Sequence, residues 1–522
     1  MLATSRHAAW GPAAATRLRL IVPLLAAFLG FAAANRSLKQ ASTVTYIISF
    51  ISPSCNALSG AVAKVATGCR IDFCVAEANV ATAQCPAGTA LSASKFHASL
   101  GVDVVAQDVV RRLGASPTGV TTDATSNAAT TITAATSSFY TGPIIGDPND
   151  KWWPYQWAPR SIDATAAWAK GINGRCARVV MVDGAFGTLP PDLQNKFDMS
   201  VTRSFADISF DTDTGVVTHG IATSGVVGAE ANNGVGIVGI AYGATLIGVQ
   251  VFGTELQAAD SVVVKGIVYA AQRKDKGGAG ADIINLSLGE IVDRANRTAT
   301  RSEMYGNGSS IMHIFNRAFA FANKNGVLVV AGAGNDAINI NAQKSGYSDP
   351  CQNANVICVA ANAPVGICPA GRCAAGHRWN CTGGLDFANA NYSRLASYSN
   401  YGTAVEVTAP GGDTVFEGDC WLDDTVLVSA PGGVEKIGFG TGTSFSAPHV
   451  SALAALYLQK AAMDKGALES ELCNPGRTKT YVSPGQIKTA ILRGAVLPPG
   501  NAGDVRKLFG AGIINVARTL GL

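Results

Sequence analysis

From about residue 177 onward, short apolar runs alternate with longer stretches whose apolar positions recur every three or four residues. "ARVVMVD" (177–183), "TLIGVQVF" (245–252), "DIINLSL" (282–288) and "GVLVVAGAG" (326–334) have no polar alternation and read as strands buried on both faces. Helical spacing fills 256–276 before the third strand and 310–323 before the fourth. Apolar strands joined through helices predict an α/β fold with a mainly parallel sheet covered on both sides, whose site forms outside the carboxyl ends of the strands. Upstream, "TVTYIISF" reads as a strand and "DVVAQDVVRRL" (103–113) as a helix. Between the two regions, residues 121–142 are rich in Thr, Ser and Ala without any period, which predicts a flexible joint. No repeat of solenoid length is present.

The first residues change the picture. Arg17 and Arg19 precede the apolar run Leu20 to Phe31 and the small residues Ala32, Ala33 and Ala34, the layout of a secretory signal over 1–34. An organelle transit peptide is the competing reading, since the first acidic residue is Asp72. No run is long enough to span a bilayer comfortably, so a soluble protein without a membrane span is expected. Twelve cysteines fall as four before the joint and eight after it, and even sets in an exported chain suggest disulfides. Cys351 and Cys358 form a plausible local pair. Cys368, Cys373, His377 and Cys381 have a spacing that could hold zinc, with disulfides favoured in an oxidising compartment. Asn296, Asn307, Asn380 and Asn391 begin sequons suited to exposed loops, whereas Asn285 lies in an apolar run and is expected to be buried. The formal charge of +4, without a basic run, gives no sign of a nucleic-acid partner.

Candidate chemistry begins at "GTGTSFSAPHV" (440–450). Ser444 stands before a run apolar on nearly every face, with Pro448 expected in the first turn of the helix. There its hydroxyl meets unpaired N–H groups and the positive end of the macrodipole, and the flanking glycines would admit a substrate backbone; a plain helix cap is the alternative. A nucleophilic serine needs a base and a group to orient it. Of the histidines after the joint, His313 sits in a helical pattern, His449 in the serine's own helix and His377 in a cysteine-rich loop, while His219 opens the small-residue helix "HGIATSGVVGA". Asp183 ends an apolar strand, where a site should form.

Together these segments resemble the subtilisin-like serine proteases. "GTSFSAP" (442–448) is similar to that family's nucleophile signature, "HG" at His219 with "NNGVGIVGIA" to its histidine helix and following loop, and "INLSLG" and "VVAGAGN" to two further segments. The similarity covers roughly residues 150–522. The order Asp, His, Ser is the order found in subtilisin. The resemblance implies a three-layer αβα peptidase domain over 143–522 with a mainly parallel central sheet, and no cofactor for catalysis. It also implies that Asp183, His219 and Ser444 form the triad, that the Asn335 amide serves the oxyanion, and that Ser287, Leu288 and Gly289 pair with an extended substrate. Asp192 and Asn233, with backbone oxygens of Val235 and Ile237, would hold a structural calcium ion.

Residues 35–120 resemble the family's inhibitory propeptide, through Phe96 to Leu100, Val110, Leu113, Pro117 and Val120; a small accessory domain is the alternative. The expected product is a self-processing, monomeric zymogen that cuts protein or peptide substrates, secreted or held in a vacuolar or other endomembrane lumen. Rival readings are a catalytically silent relative that binds peptide chains and an esterase or amidase on the same fold. Gly184, Ala185, Ala222 and Phe445 depart from the family pattern, which puts packing and substrate preference in doubt rather than proton transfer.

Overall fold

The computed structural model describes residues 43–522 apart from 52–53, 97–100, 109, 113–139, 185, 213–217, 254–256, 294–307, 343–345, 370–371, 374–380, 415–419, 433–435 and 475–480. The signal-like segment 1–34 and most of the joint lie outside the described residues, as do Leu113, Pro117 and Val120. Residues 140–142, assigned above to the joint, already lie against the large unit: the Asn173 side chain donates to the Thr141 carbonyl at 2.8 Å, and the Tyr242 hydroxyl to that of Gly142 at 2.8 Å.

The front unit is a small α+β body. Strands β1 (Thr43–Ser49), β2 (Arg70–Val75), β3 (Val80–Pro86) and β4 (Val104–Gln107) form an antiparallel sheet in the order β2-β3-β1-β4, and helix α1 (Cys55–Val65) packs on one face. Cys55–Cys74 joins α1 to β2, and Cys69–Cys85 joins the start of β2 to β3. The predicted helix over 103–113 is instead two strands, β4 and β5 (Val110–Arg112). Its valines are β-branched and stiff at χ1, so pairing of β4 with β1 and of β5 with a strand of the large unit overrides a weak helical spacing.

The large unit carries β6 (Arg178–Gly184), α2 (His219–Gly228), β7 (Thr245–Phe252), β8 (Gln257–Ala259), α3 (Asp260–Ala271), β9 (Ile283–Leu286), α4 (Gly308–Lys324), β10 (Leu328–Gly332), β11 (Val356–Val365), β12 (Asn391–Leu395), β13 (Val407–Pro410) and α5 (Thr443–Asp464). Its main sheet runs β12-β11-β10-β9-β6-β7, with the short strand Arg203–Ser204 beyond β7 and β13 beside β11. Every pairing is parallel except β11 with β12.

The apolar run of β6 explains why the sheet must be covered twice. Val179 and Met181 point into the core shared with α2 and α5, while Val180 and Val182 point into the core shared with α3 and α4. The result is the expected three-layer αβα arrangement, with the carboxyl ends of β6, β9 and β10 opening on one rim beside the starts of α2 and α5.

All twelve cysteines are paired, each set within its own unit. Cys351–Cys358 forms as expected, whereas Cys368 joins Cys381 and Cys373 joins Cys420, which removes the thiolates that zinc would need. Cys176–Cys473 bridges the entry to β6 and the chain after α5. No helix among the described residues is long and apolar enough to cross a membrane.

Candidate active site

Asp183 is delivered to the rim by β6, where the register against β7 slips between Asp183 and Gly184. Its carboxylate is buried, and its Oδ1 accepts from the Gly184 N–H at 2.7 Å. The same oxygen lies 2.6 Å from Nδ1 of His219, the first residue of α2. That contact assigns the proton between them to Nδ1, which turns Nε2 toward the remaining space as an acceptor. Nε2 is buried and has no hydrogen-bond partner among the described residues.

Ser444 is the second residue of α5 and is 7% exposed. Its neighbour Phe445 sets its ring 6.0 Å from the imidazole of His219, centroid to centroid. The Ser444 hydroxyl itself donates to the Ser287 carbonyl at 3.3 Å and not to the imidazole of His219. Catalytic hydrogen bonds are often long in unliganded enzymes and tighten with substrate.

Pro448 lies in the interior of α5, not in its first turn, because the helix begins at Thr443. Proline has no N–H to give to the carbonyl four residues back, which is that of Ser444. The Ser287 hydroxyl takes that place, donating to the Ser444 carbonyl at 2.7 Å. Asn285 in turn donates its side-chain N–H to Ser287 Oγ at 2.9 Å and accepts from Ser451 Oγ at 3.0 Å, so a buried polar chain joins β9 to α5. Asn285 is fully buried, as its run predicted, and Asn391 is exposed; Asn296, Asn307 and Asn380 lie outside the described residues.

The glycines before Ser444 serve the protein's own packing. A Cβ on Gly440 would stand 2.6 Å from the Phe445 ring, and Gly442 has φ 142°, which a side chain disfavours. Asn335 follows β10, and its Oδ1 accepts from the Thr443 N–H at 2.9 Å and the Thr443 hydroxyl at 3.0 Å, so its amide nitrogen faces the other way, as a donor. Asn400, which the sequence did not single out, orders the turn after it by accepting from the Asp336 and Ile338 N–H groups at 3.0 and 3.1 Å. Ser287, Leu288 and Gly289 leave the end of β9 on the same rim.

His449 is a buried core residue, as its helical position suggested. It bonds the Phe445 carbonyl through Nδ1 at 2.7 Å, and burial pushes its pKa down to about 4. His313 on α4 faces the front unit, 3.2 Å from Asp103, and His377 lies outside the described residues. Ala222 is packed with Val226 and Phe445 in an apolar cluster.

Asp192 is buried away from the rim. Its Oδ1 accepts from the Asn233 side chain at 2.8 Å and its Oδ2 from the Ile237 N–H at 3.0 Å, while the Asn233 Oδ1 accepts from the Val235 N–H at 3.0 Å. Two acids that the sequence did not single out lie close enough for their charges to act on Asp192. Asp150 takes the Asn232 N–H at 2.8 Å on Oδ2 while its Oδ1 is unpartnered, and Glu230 has an unpartnered Oε1. Burial, with the Glu230 charge adding, pushes Asp150 up to about 7, and burial raises Asp192 well above the usual carboxylate range. The orphaned oxygens of Asp150 and Glu230 are of the hard type that a calcium ion would take.

The sequence profile of the subtilase family matches residues 177–512. The thermophilic serine proteinase of Bacillus sp. (strain AK1) is 28% identical over 349 residues, which is 66% of this chain and 68% of that protein. Thermitase of Thermoactinomyces vulgaris is 27% identical over 344 residues, 65% of this chain and 96% of thermitase. The crystal structure of the epidermin leader peptide processing serine protease from Staphylococcus aureus shares the fold, with a TM-score of 0.61 over 92% of this chain and 99% of that one at 17% identity. With its sheet order, its site at the carboxyl rim and a match across most of the large unit, the chain belongs to the subtilase family, the subtilisin-like serine proteases.

Proposed function

We propose that the protein is an exported endopeptidase, made as a self-processing zymogen, that cuts peptide bonds through Asp183, His219 and Ser444. The observation that carries this reading is the 2.6 Å contact of His219 Nδ1 with Asp183 Oδ1, which leaves Nε2 free beside the start of α5. Ser444 Oγ attacks the scissile carbonyl as its proton passes to Nε2; the same nitrogen then protonates the leaving amine, and water repeats the cycle on the acyl-enzyme. Negative charge on the tetrahedral oxygen falls between the Asn335 amide and the Ser444 N–H at the positive end of α5. Ser287, Leu288 and Gly289 offer backbone groups to an extended chain.

The contacts of the front unit with the large unit support reading it as a propeptide. Asp108 caps α3, accepting from the Ser261 N–H at 2.8 Å and its hydroxyl at 2.5 Å, and β5 pairs antiparallel with β8. Lys265 meets Asp72 at 2.6 Å, and Arg317 bonds Asp103. Six disulfides call for an oxidising compartment, in keeping with export. Asp192 and Asn233, with the backbone oxygens of Val235 and Ile237 and help from Asp150 and Glu230, would hold a calcium ion that neutralises the buried acids and pins the loop after α2.

Expression of wild type and Ser444→Ala tests the proposal. The alanine protein is expected to keep the front segment attached and to lose peptide turnover by about 10⁴-fold or more. Maturation of the alanine protein at the wild-type rate would overturn self-cleavage by Ser444.

A further inference from the structure

The two oxygens of Asp183 are held in different ways. Oδ1 is fixed by the Gly184 N–H and His219. The partner of Oδ2 is the hydroxyl of Thr223, at 3.0 Å, and Thr223 is fully buried. Thr223 sits one turn after His219 on α2, so its hydroxyl also passes 3.1 Å from the His219 carbonyl and 3.3 Å from that of Gly220. One hydroxyl has one proton. A threonine inside a helix ordinarily gives it to the carbonyl one turn back. Here an anionic acceptor lies at the shortest of the three distances, and a charge-assisted bond is about twice as strong as a neutral one.

The strand that carries Asp183 cannot supply such a donor from the next position. Gly184 has no side chain, and a Cβ there would stand 2.3 Å from the Cβ of Phe252. The hydroxyl therefore comes from the histidine's helix rather than the aspartate's strand.

We propose that Thr223 is a positioning residue of the protease reaction, locking the carboxylate plane of Asp183 so that Oδ1 faces His219 Nδ1 throughout the cycle. The β-branched side chain is suited to the task, because its χ1 is restricted in a helix. Base and orienting acid are thereby fastened to a single element: a movement of α2 carries His219 and the clamp on Oδ2 together. The hydroxyl also draws electron density from the carboxylate, tempering its hold on the imidazolium.

The inference rests on the triad reading, and its test is chosen to fail separately. Thr223→Val keeps the shape and removes the donor. It is expected to lower kcat about 10- to 100-fold with KM within about twofold, the loss of one bond to a charged group. The acid limb of the kcat/KM profile should move up by about half a pH unit, because the imidazole faces a less neutralised carboxylate. Thr223→Ser should recover most of the rate and return the limb, and melting curves on each protein separate lost folding from lost positioning. A valine protein with wild-type kcat and an unmoved acid limb would overturn the assignment. So would a serine protein as impaired as the valine one, since the methyl group would then be what matters. If the valine protein does not accumulate, Thr223→Ala carries the same expectations and the same overturning results. Full turnover in Ser444→Ala would strike the triad itself, whatever Thr223 does.

Discussion

The two sheets of this molecule solve the same burial problem with different means. In the large unit, β6 is apolar on both faces, and its own chain supplies helices for each. In the front unit, β1 is also apolar on both faces: Tyr46 and Ile48 pack with Leu58 and Val62 of α1, while Ile47 joins Val263, Ile267, Ile314 and Ala318 of α3 and α4. Among the described residues the front unit has a single long helix, and the second face of its sheet is buried against the large unit. A small body of this kind is marginal alone, and two disulfides make up part of the missing burial. The difference teaches that the front sheet is finished by docking, whereas the large sheet is finished by its own chain.

Neighbouring residues of β1 give the sharpest way to break that comparison. Ile48→Ala should unfold the isolated front fragment, since truncating a buried Ile costs about 2 to 5 kcal/mol. Ile47→Ala should leave the fragment's own melting almost unchanged while weakening its inhibition of the mature enzyme in trans by about 10- to 100-fold. Equal loss of fold in both variants would refute the division into two faces.

Chelation should act on the large unit alone. A cation at a thousandfold excess over its Kd adds about 4 kcal/mol to stability, so a chelator should lower the melting temperature of the mature enzyme and spare the front fragment. An unchanged melting temperature would remove calcium from the Asp192 loop.

The smallest effect concerns His449. Its pKa in the fold, about 4, lies below the unfolded value near 6.5, so the unfolded chain binds more protons between these limits. Stability from this residue is complete above about pH 6.5 and is lost as pH falls toward 4, by up to about 3 kcal/mol. Urea midpoints at pH 7 and pH 4.5 should therefore differ less in His449→Gln than in wild type, and an identical difference would show that the imidazole does not matter.

Most of the parallel sheet was legible because a strand buried on both faces announces itself as an unbroken apolar run. The eleven-residue stretch 103–113 around β4 and β5 was not, since its apolar spacing fits a helix while its β-branched valines favour a strand, and its partners, β1 and β8, come from far along the chain. At the site, Asp183 and His219 could be named from their places at element ends, and Asn335 only through the family resemblance. Thr223 was hidden although its spacing of four from His219 was visible, because nothing in a sequence says that a carboxylate will arrive opposite that turn. Pro448 misled by one turn: a proline normally marks a helix start, and only the fold reveals that Ser287 offers the hydroxyl that lets it sit further in. Asp150 stayed unassigned for the same reason, as its partner Asn232 is 82 positions away.

The Cys176–Cys473 bond closes a ring across a separation of 297 residues, and Asp183, His219, Asn335 and Ser444 all fall inside it. An enzyme surrounded by copies of itself is exposed to being nicked. A single scission anywhere within that ring leaves the pieces covalently tethered, so the broken ends stay at high effective concentration and these four side chains remain on one covalent molecule. Such a molecule would migrate as one band until a thiol was added, which makes the bridge a form of tolerance to self-digestion.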